Sequence, residues 1–178
     1  MGQSTKPQEL DVNKKTSYQW GEDKVWEERM EAVASLIPRG VSVLDIGGGY
    51  EHLRNYAKMG HYQSIDKYPA TRLTKIADLN NGQFPELGKT FQIMVVQGTL
   101  EYMKFPIAFL EGVKKYADHM ILTYNPKGKR KVPTWRNQMT DREIRGYLSV
   151  TDWKVAAEAS YKGGTLYYCV RQHYGKKH

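Results

Sequence analysis

The chain predicts an α/β fold: a mostly parallel seven-stranded sheet with helices on both faces and a C-terminal antiparallel β-hairpin. Three observations carry this. Short apolar runs alternate with helix-period segments over residues 22–148. The run 91–96 is apolar almost throughout, as a strand covered on both faces requires. Two last apolar runs, 153–160 and 165–172, flank Lys162, Gly163 and Gly164, a hairpin turn.

Residues 1–21 are polar without a period and read as an N-terminal arm able to act as a lid, with Tyr18 and Trp20 offering aromatic faces to a cation. Residues 22–173 form a single domain, and 174–178 a basic tail. In 22–37, Val25, Trp26, Met30, Val33 and Ile37 fall at helical spacing, and Pro38 and Gly40 stop the helix. The first strand is 41–46, followed by a helix over 51–59 that Gly60 ends, then a second strand over 62–66. Residues 67–74 have room for little more than one helical turn. A third strand at 75–79 runs into the turn-rich loop 80–88. After the fourth strand comes an amphipathic helix over 105–117, with Ile107, Phe109, Leu110, Val113 and Tyr116 inward, then a fifth strand over His119–Tyr124. A basic loop spans 127–134, and Thr140 with Glu143 makes a capping box for a further helix.

Length and composition bound the function. With 178 residues, 40% apolar, the chain is long enough for one full core. No apolar run approaches the roughly 18 residues of a membrane helix. Met1 to Lys15 carries no apolar h-region, so a cytoplasmic protein without secretory signal is expected. Cys169 is the single cysteine, which rules out an internal disulfide or a cysteine metal cluster, and no metal site is expected. The net charge of +8, 27 Lys and Arg against 19 Asp and Glu, favours an anionic partner: nucleic acid, a phosphorylated metabolite or an acidic sugar. Positives gather at Lys127, Lys129, Arg130 and Lys131, and at Lys176 and Lys177, which a solvated loop and tail explain equally well.

The chemistry concentrates where strands end. The first strand closes on Asp45, and Gly47, Gly48 and Gly49 follow. Glycines there let backbone approach a ligand, and the next amides suit a carboxylate or phosphate. About 20 residues on, the second strand ends at Asp66, the layout of a ribose-binding carboxylate. Asp78, at the end of the third strand, can accept from an adenine amino group while the amide of Leu79 donates to a ring nitrogen. A dinucleotide is disfavoured because His52 stands where the third glycine belongs and no second domain holds a hydride acceptor. A phosphate loop would need Gly-Lys-Ser/Thr after the turn, which is absent.

At these residues the chain resembles the Rossmann-like class I S-adenosylmethionine-dependent methyltransferases. Val43 to Gly49 resembles their first motif, Asp66 their ribose acid, Ala77, Asp78 and Leu79 their adenine motif, and Val95 to Tyr102 their fourth-strand motif. The likeness spans about 41–171, nearly the whole chain, and at a finer level points to small bacterial enzymes that modify sugars, polysaccharide precursors or other metabolites. The family often has a further glycine where Glu51 stands, and the segment between Asp66 and Asp78 is too short for the family's usual helix.

The resemblance implies methyl transfer from S-adenosyl-L-methionine to a small, anionic acceptor. Asp45 and the amides of Gly47, Gly48 and Gly49 would hold the methionyl end, Asp66 the ribose, and Asp78 with Leu79 the adenine. Gln97 and Gly98 would border the sulfonium and the acceptor. Glu101 is the nearest candidate base, with His52 and His119 behind it, although His119 begins its strand and should lie at the far end. Tyr124, Asn125 and Trp135 are candidates for the acceptor pocket, with Lys129, Arg130 and Arg136 drawing in an anion. A nucleic-acid methyltransferase is the second reading, motivated by charge; against it, the fourth strand lacks an Asn/Asp-Pro-Pro-aromatic motif and no RNA-binding domain is appended. A non-catalytic cofactor-binding or scaffold domain is the third.

Overall fold

The computed structural model of the chain describes residues 24–68, 71–128 and 132–173. Seven strands form one sheet: β1 (Ser42–Ile46), β2 (His61–Asp66), β3 (Lys75–Ile76), β4 (Ile93–Gln97), β5 (His119–Tyr124), β6 (Trp153–Tyr161) and β7 (Gly164–Arg171). Their spatial order is β3-β2-β1-β4-β5-β7-β6. The first five are parallel, and β7 slots antiparallel between β5 and β6. The order reverses between β1 and β4, so a crevice opens outside their carboxyl ends, where open α/β sheets bind ligands.

Alternation along the central strands feeds two apolar layers. Val43, Ile93, Val95 and Ile121 face α1 (Lys24–Ser35), meeting Met30, Val33 and the following Ile37. Leu44, Ile46, Met94, Val96 and Leu122 face α2 (Pro106–Val113) and α3 (Asp141–Val150), meeting Phe109, Leu110, Val113, Ile144 and Leu148. Helices therefore cover both faces, as expected, and the buried strand β4 shows why its sequence is continuously apolar.

Four expectations need correction. The helix expected over 51–59 is a single 3-10 turn, His52–Asn55, that buries only Leu53. The rest of the segment is spent on the sheet: Gly40 N donates to the Lys58 carbonyl and Gly60 N to the Val41 carbonyl, drawing the chain beside the start of β1. The third strand stops at Ile76, because Asp78 caps a 3-10 turn over Leu79–Asn81. Helix α2 ends at Val113, earlier than expected, since Phe91 and Ala117 bridge and pull the following residues onto the sheet. Ile107 is 43% exposed, because it lies more than 100° around α2 from the centre of the stripe of Phe109, Leu110 and Val113.

Local chemistry at the C-terminal half is as read. Thr140 Oγ1 accepts from Glu143 N at 3.2 Å, and Glu143 Oε2 accepts from Thr140 N at 2.7 Å. Replacing Thr140 with Ala should cost about 1 kcal/mol in urea unfolding. Lys162 and Gly163 make the two-residue turn joining β6 to β7. Cys169 is buried in β7, and burial pushes its thiol up to about 12, so it is unreactive.

Candidate active site

The glycine turn leaves β1 with Gly47 at φ 72° and Gly49 at φ 52°. Gly47 has a second constraint. A Cβ there would lie 2.1 Å from Thr99 Oγ1, which donates to the Ile46 carbonyl at 2.9 Å and ties the loop after β4 to the turn. Gly47→Ala should therefore destabilise the fold by about 2 kcal/mol or more, visible as a lowered melting temperature. A Cβ on Gly48 would press on Ser64 and Asp45.

Asp66 closes the turn from the neighbouring strand. Its Oδ2 accepts from Gly49 N at 3.0 Å and its Oδ1 from Tyr68 N at 2.9 Å. The carboxylate thus sits at the crevice end of β2, half-buried, oriented by two amides and keeping lone pairs for two hydroxyl donors. Asp45, 1% exposed, accepts from the Tyr62 hydroxyl at 2.8 Å through Oδ2, while Oδ1 has no partner. Burial pushes its carboxyl up to about 7, against the opposing pull of the Tyr62 hydrogen bond.

Asp78 is more occupied than its sequence position implied. Its carboxylate accepts from Asn80 N and Asn81 Nδ2 and pairs with Lys67 Nζ at 3.0 Å. The side chain of Asn80 bridges to Tyr102 O and Lys104 N, tying this turn to the loop after β4. Leu79 is buried, and an apolar cavity of about 150 Å³ opens beside the turn, lined by Leu79, Phe84, Met103, Phe105, Ala108 and Phe109.

Beyond β4, Gln97 is buried with Oε1 lacking a partner, and Gly98 N donates to Thr123 Oγ1 at 3.1 Å. Glu101 is fully buried. Its Oε1 accepts from Asn125 N and Nδ2 at 3.0 and 2.8 Å, and its Oε2 is unpartnered. Burial raises its pKa, opposed by those bonds and by the nearby charge of Arg29.

Sequence reading missed Arg29. This α1 residue is 6% exposed, and a Cβ on Gly98 would lie 2.7 Å from its Nη1. It places a positive charge among Asp45, Glu101 and Tyr161. Its signal was present: Val25, Arg29, Val33 and Ile37 form one i+4 row, so an arginine stands on the apolar stripe. Tyr62 was missed as the partner of Asp45.

The other candidates separate by position. His52 is exposed, edge-on to the Tyr50 ring. His119 sits at the amino end of β5 beside the Tyr168 hydroxyl, away from the crevice, as expected. The Tyr124 hydroxyl is used structurally, donating to Asn137 Oδ1 and accepting from Met139 N, so Tyr124 braces the loop after β5. Asn125 does reach Glu101, and Arg136 N donates to the Glu101 carbonyl. Tyr18, Trp20, Lys129, Arg130, Lys131 and the tail lie outside the described residues.

Glu51 is left-handed at φ 58°, a conformation costing a side-chain-bearing residue on the order of 1 kcal/mol. It is 4% exposed and accepts from Thr74 Oγ1 at 2.8 Å, from Thr71 Oγ1 at 3.3 Å and from Arg54 Nη1 at 3.2 Å. Among the described residues no group of three or more His, Cys, Asp or Glu is placed to hold a metal ion, and no helix is long and apolar enough to cross a membrane.

No family model matches the chain, and no curated protein matches it in sequence. Solved structures do match in fold. A SAM-dependent methyltransferase from Aquifex aeolicus superposes with TM-score 0.63 at 18% identity, over 80% of this chain and 89% of that one. Magnesium protoporphyrin IX methyltransferase from Synechocystis, with bound SAH, gives 0.63 at 16% identity, over 83% and 84%. A S-adenosylmethionine-dependent methyltransferase from Clostridium acetobutylicum gives 0.61 at 10% identity, over 84% and 90%. The chain has the class I methyltransferase fold, with the glycine turn, Asp66 and Asp78 at its crevice end.

Proposed function

We propose that the chain is an S-adenosylmethionine-dependent methyltransferase acting on a small anionic metabolite or a sugar or polysaccharide precursor. The observation that carries this reading is the Asp66 carboxylate, held by the Gly49 amide at the crevice end of β2 and left with capacity for two ribose hydroxyls. The remaining residues fit the same ligand. Unpartnered Asp45 Oδ1 suits the methionyl ammonium, and Arg29 the methionyl carboxylate. Asp78 already serves its own turn, so adenine recognition falls largely on the backbone of Leu79 and the lone pairs Asp78 retains.

The bound cofactor supplies an activated methyl group, so the protein's work is alignment and exclusion of water. Gln97 and Gly98 border the site at the end of β4. Asn125 fixes one oxygen of Glu101, leaving Oε2 to take a proton from a hydroxyl acceptor. The raised pKa of Glu101 makes its carboxylate form the stronger proton acceptor.

The test is transfer from methyl-labelled cofactor into a metabolite pool and, separately, an RNA pool at two salt concentrations. Label should enter small anionic products, and Glu101→Gln should slow transfer at least tenfold without altering cofactor binding. Labelled RNA, with affinity falling steeply as salt rises, would instead establish the nucleic-acid reading.

A further inference from the structure

We infer that Glu51 is a positioning residue for the ribose carboxylate, clasping the glycine turn to the segment that follows β2. The inference rests on the cofactor reading above. Asp66 is oriented from two sides, by Gly49 N in the glycine turn and by Tyr68 N beyond β2. Among the described residues no α-helix braces either side: the first is followed by one 3-10 turn and the second by bends and a turn. Glu51 joins them. It sits two residues after Gly49, and its carboxylate takes hydroxyl bonds from Thr71 and Thr74 across the gap.

Burial makes this clasp specific. A carboxylate this buried must be met by donors, and two of the three that meet Glu51 are threonine hydroxyls of the same short segment. Thr74 is itself buried, whereas Arg54 is 47% exposed and adds a screened ion pair. A glycine at this position would suit the φ of 58° better, so side-chain chemistry is what the glutamate contributes. With the clasp in place, the amides of Gly49 and Tyr68 hold a fixed separation and Asp66 is aimed before ligand arrives, so affinity gained from ribose hydroxyls is not lost to ordering.

Calorimetry with S-adenosylhomocysteine and its 2′-deoxy analogue tests this on wild type, Glu51→Gly and Glu51→Gln. Wild type should bind the deoxy analogue about tenfold more weakly, the worth of one hydrogen bond to a carboxylate. In Glu51→Gly that ratio should fall to about twofold. Glu51→Gln, which still accepts from the threonines, should restore most of it. Thr74→Val removes the strongest bond from the other side and should shrink the ratio as Glu51→Gly does, which covers the case of a poorly folding glycine variant. A ratio near tenfold in both Glu51→Gly and Thr74→Val, with both ligands weakened equally or not at all, overturns the inference and leaves the cofactor reading standing. No binding of either ligand by wild type overturns both.

Discussion

Asp45→Asn should stabilise the free protein at pH 8 and weaken its grip on S-adenosylmethionine. The carboxyl is 1% exposed, and burial pushes its pKa to about 7 from an unfolded value near 3.8. The native state therefore holds a proton that the unfolded state has released between about pH 4 and pH 7. Stability falls as pH rises through that window and the penalty is complete above it. Its size is on the order of 4 kcal/mol. An asparagine keeps an oxygen for the Tyr62 hydroxyl and carries no charge to desolvate. Thermal melts from pH 4 to 8 should show wild type losing stability relative to the variant as pH rises, with the two alike near pH 4. Calorimetry at pH 8 should show the variant binding cofactor at least tenfold more weakly. Parallel melting curves across that range would contradict the assignment of Asp45 as a buried carboxylate kept for a cationic ligand.

Asp66→Ala should have the largest effect on binding. Two ribose hydroxyls donating to one carboxylate contribute about 2 kcal/mol or more together, so affinity should drop at least roughly 30-fold. Stability should change little, because Gly49 N and Tyr68 N lie in a half-exposed crevice where water replaces the lost acceptor. Asp66→Asn retains one acceptor oxygen and should fall between the two. An alanine variant that binds as wild type does would place the ribose elsewhere.

What was legible in the sequence is what local pattern controls. The strands through Asp45 and Asp66, the capping box at Thr140 and the hairpin turn follow from alternation, caps and turn chemistry within a few residues. The misread pieces are those where distant groups decide. Residues 51–59 have helical composition, yet bonds from Gly40 and Gly60 draw their second half along β1. Asp78 ends a strand early because its side chain serves a turn and an ion pair with Lys67. The site divides the same way. The glycine turn and its acids announce themselves, whereas Tyr62 meets Asp45 only through the parallel register of β1 and β2. Arg29 was visible as a charge on an apolar helical row, and Glu51, an oddity in one dimension, gains its meaning from Thr71 and Thr74.

On the proposed function, the crevice at the glycine turn binds S-adenosylmethionine. Isothermal titration of the full chain with S-adenosylmethionine and with S-adenosylhomocysteine tests it directly. Saturable binding of both ligands at one site per chain, strongly weakened in Asp66→Ala, is the predicted result. Absence of heat and of any thermal stabilisation by either ligand at millimolar concentration would contradict it.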